Sequence, residues 1–108
     1  VICARRTGVL ERAAEEIRRA TGAEVSAFPA DVTQPDQITA LFDQILTRYG
    51  RIDILVNNAG QGANRPFQDL TDEAWHADLD LKLVGAIRCS RAPMPAVWST
   101  ARMMVCRG

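Results

Sequence analysis

Hydrophobic and polar residues alternate along the chain in blocks that predict three strands and three helices. Short apolar, β-prone runs at residues 1–4, 25–28 and 52–56 predict strands, because such runs suit strands buried in a parallel sheet. Each run is followed by a longer segment whose apolar residues lie three or four positions apart, which is typical of a helix. Strand and helix therefore alternate three times, and the predicted class is α/β with parallel strands joined by right-handed crossovers.

Hydroxyl residues and glycines indicate where the predicted helices begin and end. Thr7 is the expected cap of the first helix, which should end near Ala20, before a glycine at position 22. Thr33, with Asp36 three residues later, resembles a capping box for the second helix, and Gly50 ends that helix. A threonine at position 71, followed by two acidic residues, is the expected cap of the third helix.

The second and third helices carry the clearest apolar spacing. The apolar face of the second helix consists of Ile38, Leu41, Phe42, Ile45, Leu46 and Tyr49. In the third helix the apolar residues recur every four positions, at Trp75, Leu79, Leu83 and Ile87. Pro93 and Pro95 are expected to stop that helix, since proline removes a backbone donor and clashes with the preceding turn.

The stretch "DILVNNAG", residues 53–60, changes abruptly from apolar to polar and small residues. In open α/β sheets, ligands bind outside the carboxyl ends of the strands. Residues 57–60 therefore lie where a ligand is expected.

Composition excludes several classes of partner. A length of 108 residues predicts one domain, and a net charge of zero, from 13 basic and 13 acidic residues, favours neither nucleic acid nor an anionic membrane. No apolar run approaches the ~20 residues that span a bilayer. The three cysteines are odd in number and show no C-x-x-C spacing, so neither a disulfide framework nor a zinc site is indicated. A cytoplasmic protein without nucleic-acid or membrane partners is expected.

One histidine lies near two acidic residues on the third predicted helix. His76 lies one turn from Asp72 and one turn from Asp80, so the three side chains can share a helix face. Dedicated metal sites need more and better-placed ligands, so a solvated polar face and no metal are expected.

Four motifs together resemble the short-chain dehydrogenase/reductase family, the single-domain Rossmann enzymes that use NAD(H) or NADP(H). The motifs are "CARR" at the end of the first strand, "DV" after the second, "DILVNNAG" at the third and "TDEAW" at the start of the last helix. Their order and spacing resemble the family over residues 1–96. The resemblance implies a partial, doubly wound Rossmann fold of three parallel strands and three helices in this range, with residues 97–108 as an unassigned tail.

The resemblance implies cofactor-binding roles for residues after the first two strands. Arg5, helped by Arg6, occupies the place where an acidic residue selects NAD and an arginine suits the phosphate of NADP, so NADP is preferred over NAD. The alternative is that both arginines are merely solvated before a helix. Asp31 matches the carboxylate that accepts from the adenine amine, and Val32 matches the residue that packs along the ring. Without the resemblance, Asp31 would be read as a turn residue.

The resemblance also answers why residues 57–60 are polar and small. In the family the first asparagine of this motif, here Asn57, ties neighbouring strands together. Asn58, Ala59 and Gly60 present backbone and small side chains to the cofactor's ribose, because small residues let the cofactor come close. A plain Asn/Gly turn is the alternative reading.

Two functional parts of the family pattern do not occur in the sequence. The glycine-rich turn that binds the pyrophosphate belongs to a strand expected before Val1. The catalytic tyrosine with a lysine four residues on is absent, since the single tyrosine, Tyr49, is followed at that distance by Asp53. Lys82 stands where the family usually has an asparagine that supports a proton relay. Lys82 is therefore either a relay residue or a surface lysine.

These departures predict a piece of a longer protein. The chain opens within a strand, and its last residues show neither apolar period nor caps, as in a truncated or frameshifted reading frame. In the resembled fold the absent first strand lies between the strands at residues 1–4 and 52–56. Without it, the facing edges of those two strands would lose their hydrogen-bond partner unless the two strands paired with each other. An unstable or aggregation-prone chain is therefore expected.

The predicted function is that of a fragment of an NAD(P)(H)-dependent oxidoreductase, inactive alone. Its parent would reduce a carbonyl or oxidise an alcohol of a small molecule and would form homo-oligomers. The alternative is a non-catalytic nucleotide-binding or interaction module. Sugar-nucleotide epimerases share the fold, although "NNAG" favours the dehydrogenase branch. A receiver- or flavodoxin-type domain is disfavoured because Asp53 begins its strand.

Overall fold

The computed structural model describes residues 1–62 and 65–92, together with the backbone of residues 103–107. The strands are β1 (Ile2–Ala4), β2 (Ala27–Pro29), β3 (Ile54–Asn58) and β4 (Met103–Arg107). They form one parallel sheet in the order β2-β1-β4-β3. The α/β class and the three expected parallel strands are confirmed, and β4 lies in residues 97–108, the tail that the prediction left unassigned.

Strand β4 lies between β1 and β3, which do not pair directly with each other. Cys106 is the register partner of Cys3 on one side and of Asn57 on the other. Backbone groups in the middle of a sheet need hydrogen-bond partners, and β4 supplies them to both neighbours. The expectation that the two edges would lack a partner or close on each other is therefore corrected. The predicted helix stop at Pro93 and Pro95 and most of the tail from residue 97 lie outside the described residues.

Strand β2 begins two residues later than predicted and extends one residue beyond the predicted end, to include Pro29. Pro29 pairs with Ala4, and Ala30 continues the ladder by donating its N–H to the Ala4 carbonyl at 3.1 Å. A proline is tolerated here because β2 is an edge strand, where one side needs no donor.

The helices are α1 (Thr7–Thr21), α2 (Pro35–Tyr49), α3 (Asp72–Leu79) and α4 (Gly85–Arg91). A 3₁₀ turn at Phe67–Asp69 precedes α3, and a π-helical turn at Asp80–Val84 joins α3 to α4. Gly22 and Gly50 end the first two helices in the left-handed conformation, with φ of 68° and 73°. Their N–H groups donate to the Arg18 and Leu46 carbonyls, so both predicted helix ends are confirmed.

Two of the three predicted N-terminal caps are wrong. Thr7 is the first residue of α1, and Arg6 stands in the cap position without a side-chain cap bond. Gln34 takes that position in α2, because Pro35 is the first helical residue and Thr33 bonds elsewhere. The cap of α3 is confirmed, since the Thr71 hydroxyl accepts from the Ala74 N–H at 3.3 Å.

The core joins the sheet to α2 and to the last helical segment. Its buried members are Cys3, Ala30, Val32, Ile38, Leu41, Phe42, Ile45, Ile52, Leu81 and Cys89. The predicted apolar face of α2 is confirmed, with Leu46 and Tyr49 partly buried at its margin. Leu10 and Ala14 of α1 are buried apart from this cluster, as expected when helices cover both faces of a sheet.

The apolar stripe of the last predicted helix faces away from the core. We call this stripe the outer face; it consists of Trp75, Leu79, Leu83 and Ile87, which are 40–54% exposed. Leu81, Gly85 and Cys89 form the buried side instead. The Phe67 ring contacts Trp75 edge-on, at 6.0 Å between ring centroids. Among the residues described, no helix has the length and apolar character needed to cross a membrane.

Candidate functional site

The carboxyl ends of the parallel strands form one edge, which we call the carboxyl edge. Arg5 follows β1, Asp31 comes two residues after β2, and residues 59–61 follow β3. The Arg5 guanidinium donates to Gln61 Oε1 at 3.4 Å, although the two residues are 56 positions apart in the sequence. The structure therefore brings Arg5 beside the end of the "NNAG" motif. Gln61 was not singled out from the sequence, where only its position after the motif marks it.

The carboxylate of Asp31 is held by the residues that follow it. Oδ1 accepts from the Thr33 N–H at 2.9 Å and from the Thr33 hydroxyl at 2.7 Å. The Gln34 N–H donates to the Asp31 carbonyl at 3.0 Å and closes the turn of residues 31–34. Thr33 thus orients Asp31 instead of capping α2.

The same contacts set the ionisation of Asp31. Partial burial opposes ionisation, but the two Thr33 hydrogen bonds and the positive charge of Arg5 outweigh it. The pKa of Asp31 consequently lies below its ordinary value. At neutral pH the carboxyl edge therefore presents an ionised acceptor next to an arginine.

Val32 lies under the turn and not on its surface. Its side chain is only 4% exposed and belongs to the core. A Cβ atom on Gly85 would lie 3.1 Å from Val32 Cγ2 and 3.2 Å from its carbonyl oxygen, so the absence of a side chain at Gly85 lets the helical segment approach this closely. Val32 therefore fixes the turn against the last helical segment.

Arg88, a residue that sequence reasoning missed, connects the turn to α4. One terminal nitrogen, Nη1, donates to the Thr33 carbonyl at 3.0 Å and to Asp80 Oδ1 at 2.9 Å. Its side chain is about three-quarters buried, with a relative exposure of 25%. An arginine in the last turn of a helix gives no sequence signal for this contact, because such residues usually complement the helix dipole at the surface.

The "NNAG" residues have separate environments. Asn57 lies inside β3 and donates from Nδ2 to the Ser90 hydroxyl in α4 at 3.0 Å, so it ties the strand to a helix. Asn58 and Gly60 are exposed, while Ala59 is partly buried against the core. The prediction ended β3 at Val56, whereas the ladder with β4 continues through both asparagines.

Lys82 lies in the π-helical turn and extends toward the motif. Its Nζ pairs with Asp78 Oδ1 at 2.7 Å, and its Cε would be 3.9 Å from a Cβ atom at Gly60. π-Helical turns are rare and often occur at functional sites. Lys82 is thus near the carboxyl edge but already paired with a carboxylate.

A cavity of about 580 Å³ opens beside Lys82, between the loop after β3 and the last helical segment. Its wall combines apolar residues with charged ones; the lining includes Gln61, Arg65, Leu70, Trp75, Asp78, Leu81 and Lys82. A volume of this size is within the range of small-molecule sites, roughly 300–1,000 Å³. The cavity shares Gln61 and Lys82 with the carboxyl edge.

Tyr49 lies at the other end of the molecule. Its hydroxyl is hydrogen-bonded to that of Ser26, which immediately precedes β2 at the amino end of the sheet. Its ring is partly buried against the core. The single tyrosine of the chain is therefore remote from the carboxyl edge and has a structural contact.

One of the two acidic residues near His76 has a partner on another turn of the helical segment. Asp80 accepts from Arg88, as described above. Within residues 1–62 and 65–92, no group of three or more His, Cys, Asp or Glu side chains is arranged to hold a metal ion.

Comparison with known proteins places this site in context. The short chain dehydrogenase family model matches residues 1–104. A hexahydroindene-carboxyl-CoA reductase of Mycobacterium tuberculosis is 42% identical over 82 residues, which cover 68% of this chain and 31% of that protein. The 3-oxoacyl-[acyl-carrier-protein] reductase of Escherichia coli is 32% identical over 91 residues, covering 84% of this chain and 37% of that protein.

A similar solved structure is an NADPH-bound short chain oxidoreductase from Pseudomonas aeruginosa with an atypical catalytic center. It superposes with a TM-score of 0.81 at 38% identity, covering 96% of this chain and 41% of that chain. The present chain thus spans about a third of the length of the curated relatives it matches.

Proposed function

The chain belongs to the short-chain dehydrogenase family, and from that premise we propose that its carboxyl edge binds the adenosine part of NADP(H). The whole enzyme would reduce a carbonyl group or oxidise an alcohol on a small molecule. The observation that carries the proposal is the juxtaposition of Arg5, the ionised Asp31 and the end of the "NNAG" motif at one edge.

The environment of Arg5 supports a preference for NADP(H) over NAD(H). Arg5 and Arg6 are both exposed, and the 3.4 Å bond from Arg5 to Gln61 is long for an N–H···O contact. The Arg5 guanidinium can therefore turn toward a phosphate, for which its planar fork is well suited. An acidic residue at this place would bind the ribose hydroxyls of NAD and repel a phosphate.

The 31–34 turn supports the role of Asp31 toward adenine. An ionised carboxylate only accepts hydrogen bonds, as the exocyclic amine of adenine requires. Oδ1 is occupied by two donors from Thr33, so the carboxylate is held in one orientation. Val32 would support this contact from below, since little of its own surface is open to a ring.

The residues after β3 are suited to a ribose. Gly60 carries no side chain and is exposed, so a sugar can approach its backbone closely. Bound NADP(H) would supply the hydride chemistry. The residues of this chain would hold and orient its adenosine part, with Lys82 either contributing to a proton relay through water or remaining the ion-pair partner of Asp78.

A second candidate function is a nucleotide-binding module without catalysis. The position of Tyr49 favours it, because the hydroxyl of this tyrosine contacts Ser26 at the amino end of the sheet, away from the edge proposed to bind the nucleotide. Under this proposal the chain keeps the adenosine-side residues and binds NADP(H) without transferring hydride. A cytoplasmic location and a homo-oligomeric parent complete the proposal by analogy with the family.

Isothermal titration calorimetry of the 108-residue chain with NADPH and with NADH tests the proposal, after circular dichroism has established folding. We expect saturable NADPH binding that is stronger than NADH binding. Arg5→Ala should weaken NADPH binding about tenfold or more while changing NADH binding little, because a charge-assisted contact to the phosphate is lost.

Arg12→Ala is the matched control, since Arg12 is an exposed arginine of α1 that donates to the Gly8 carbonyl. It should leave both affinities unchanged. A folded chain that binds neither nucleotide would contradict the proposed function. Equal loss of NADPH affinity in both arginine variants would contradict the specific role of Arg5.

A further inference from the structure

We propose that Arg88 is a positioning residue for the nucleotide site: it anchors the 31–34 turn to α4 and thereby fixes where the Asp31 carboxylate points. This inference rests on the proposed function in one respect, namely that the ligand recognised by Asp31 is the adenine of NADP(H). The anchoring of the turn itself stands on the contacts of the chain alone.

The contacts form one continuous path from α4 to the carboxyl edge. Arg88 Nη1 donates to the Thr33 carbonyl at 3.0 Å, and the N–H and hydroxyl of Thr33 donate to Asp31 Oδ1. Arg88 and Thr33 are 55 positions apart, so the path joins two distant parts of the sequence. Any movement of Thr33 would therefore move the Asp31 carboxylate as well.

The position of Arg88 is itself restrained. Nη1 also donates to Asp80 Oδ1 at 2.9 Å, at the start of the π-helical turn. The close approach of Gly85 to Val32 keeps α4 against the turn. The charged donor is thus held on one side by a carboxylate and aimed on the other side at a main-chain carbonyl, which is a stronger contact than a neutral hydrogen bond.

The contact from Arg88 to the Thr33 carbonyl orients the Asp31 carboxylate and does not itself bind the ligand. Arg88 is about three-quarters buried and its polar contacts are directed to Thr33 and Asp80. Without it, the Thr33 carbonyl loses its charged donor, and the turn can move away from α4. Asp31 would then lose the Thr33 hydrogen bonds that favour its ionised form.

Three variants of the full chain test this role. Arg88→Met removes both hydrogen bonds while keeping an unbranched side chain, and Arg88→Lys keeps the charge on a shorter side chain without the guanidinium fork. Arg91→Met is the matched control, because Arg91 is an exposed arginine in the same last turn of α4. The readouts are NADPH affinity by calorimetry and the pKa of the Asp31 carboxyl by NMR titration.

We expect Arg88→Met to weaken NADPH binding about tenfold, as for loss of a charge-assisted hydrogen bond, and to move the pKa of Asp31 upward toward its ordinary value. Arg88→Lys should restore part of both effects, and Arg91→Met should leave the NADPH affinity and the pKa of Asp31 unchanged. A folded Arg88→Met variant with unchanged affinity and unchanged Asp31 pKa would overturn the proposal.

Two further outcomes remain decisive. If Arg88→Met fails to fold, Arg88→Gln takes its place, since it removes the charged donor and shortens the side chain; a pKa of Asp31 equal to that of the parent chain would then overturn the positioning role. If the parent chain does not bind NADPH, the proposed function fails, and the Asp31 pKa in the Arg88 variants alone decides whether Arg88 positions the turn.

Discussion

The two sides of the last helical segment, α3 through α4, differ in what they contact. The inner side, with Leu81, Gly85 and Cys89, packs against the core and the 31–34 turn. The outer face, residues 75, 79, 83 and 87, has the more regular apolar spacing yet is 40–54% exposed. Regular apolar spacing therefore predicted a helix correctly. It did not identify the side of the helix that packs against the core and the 31–34 turn.

The first prediction compares two leucines that are two positions apart. Leu81 is 5% exposed and Leu83 is 54% exposed. Leu81→Ala should lower the free energy of unfolding by about 2–5 kcal/mol, because it leaves a cavity in the core. Leu83→Ala should change it by less than about 0.5 kcal/mol. Urea denaturation followed by circular dichroism measures both.

Equal destabilisation by the two substitutions would contradict the difference between the two sides, since it would mean that the outer face is covered in solution. Repeating the Leu83→Ala measurement at a tenfold higher protein concentration identifies such a cover. A second copy of the chain on this face would make stability depend on concentration.

The second prediction concerns the close approach of α4 to the turn. Gly85→Val should destabilise the chain by about 1–3 kcal/mol, because any Cβ at this position already lies within 3.4 Å of Val32 and Asp80 atoms. Thermal unfolding by calorimetry measures the change. Leu83→Val is the control, since it adds the same β-branched residue to the same segment on the exposed side. A Gly85→Val variant as stable as the control would contradict the tight contact.

The Thr33 hydroxyl on the inner side carries a third prediction, which concerns the charge of Asp31. Thr33→Val removes the hydroxyl donor to Asp31 and keeps the N–H donor, so the pKa of Asp31 should rise toward its ordinary value. A depressed carboxyl pKa adds stability above its unfolded value, near 3.9, that is lost as pH falls through the folded value. The variant should therefore lose less stability than the parent between neutral pH and pH 3.

Unfolding curves at pH 7, 5 and 3, with NMR titration of Asp31, measure this difference. Thr39→Val is the control, because the Thr39 hydroxyl donates to the Pro35 carbonyl within α2. Parallel stability curves for the parent and Thr33→Val would contradict the assigned role of the hydroxyl.

The features that depend only on neighbouring residues in the sequence could be predicted. The apolar face of α2 and the glycines at positions 22 and 50 follow from helical spacing and from the left-handed conformation that glycine favours. The cap at Thr7 is wrong because α1 begins at Thr7 itself, and the cap at Thr33 is wrong because a hydroxyl next to a helix has competing partners. Thr33 bonds to Asp31 instead.

The features that depend on distant partners could not be predicted. Residues 103–106 form a short apolar run, and a run this short does not by itself distinguish a strand from a buried helix segment; β4 forms where β1 and β3 offer main-chain partners on both sides. Arg88 looks like any cation near a helix end until the 31–34 turn is brought against α4. Arg5 and Asp31 were identified only because the family resemblance gave them roles.

The most direct test of the account is a titration of the isotopically labelled 108-residue chain with NADPH, followed by amide NMR. We expect shifts confined to the carboxyl edge, at Arg5, residues 31–34 and residues 57–61, with the amides of Leu79, Leu83 and Ile87 unchanged. Shifts on the outer face without shifts at Arg5 and Asp31, or no saturable shifts in a folded chain, would contradict this expectation.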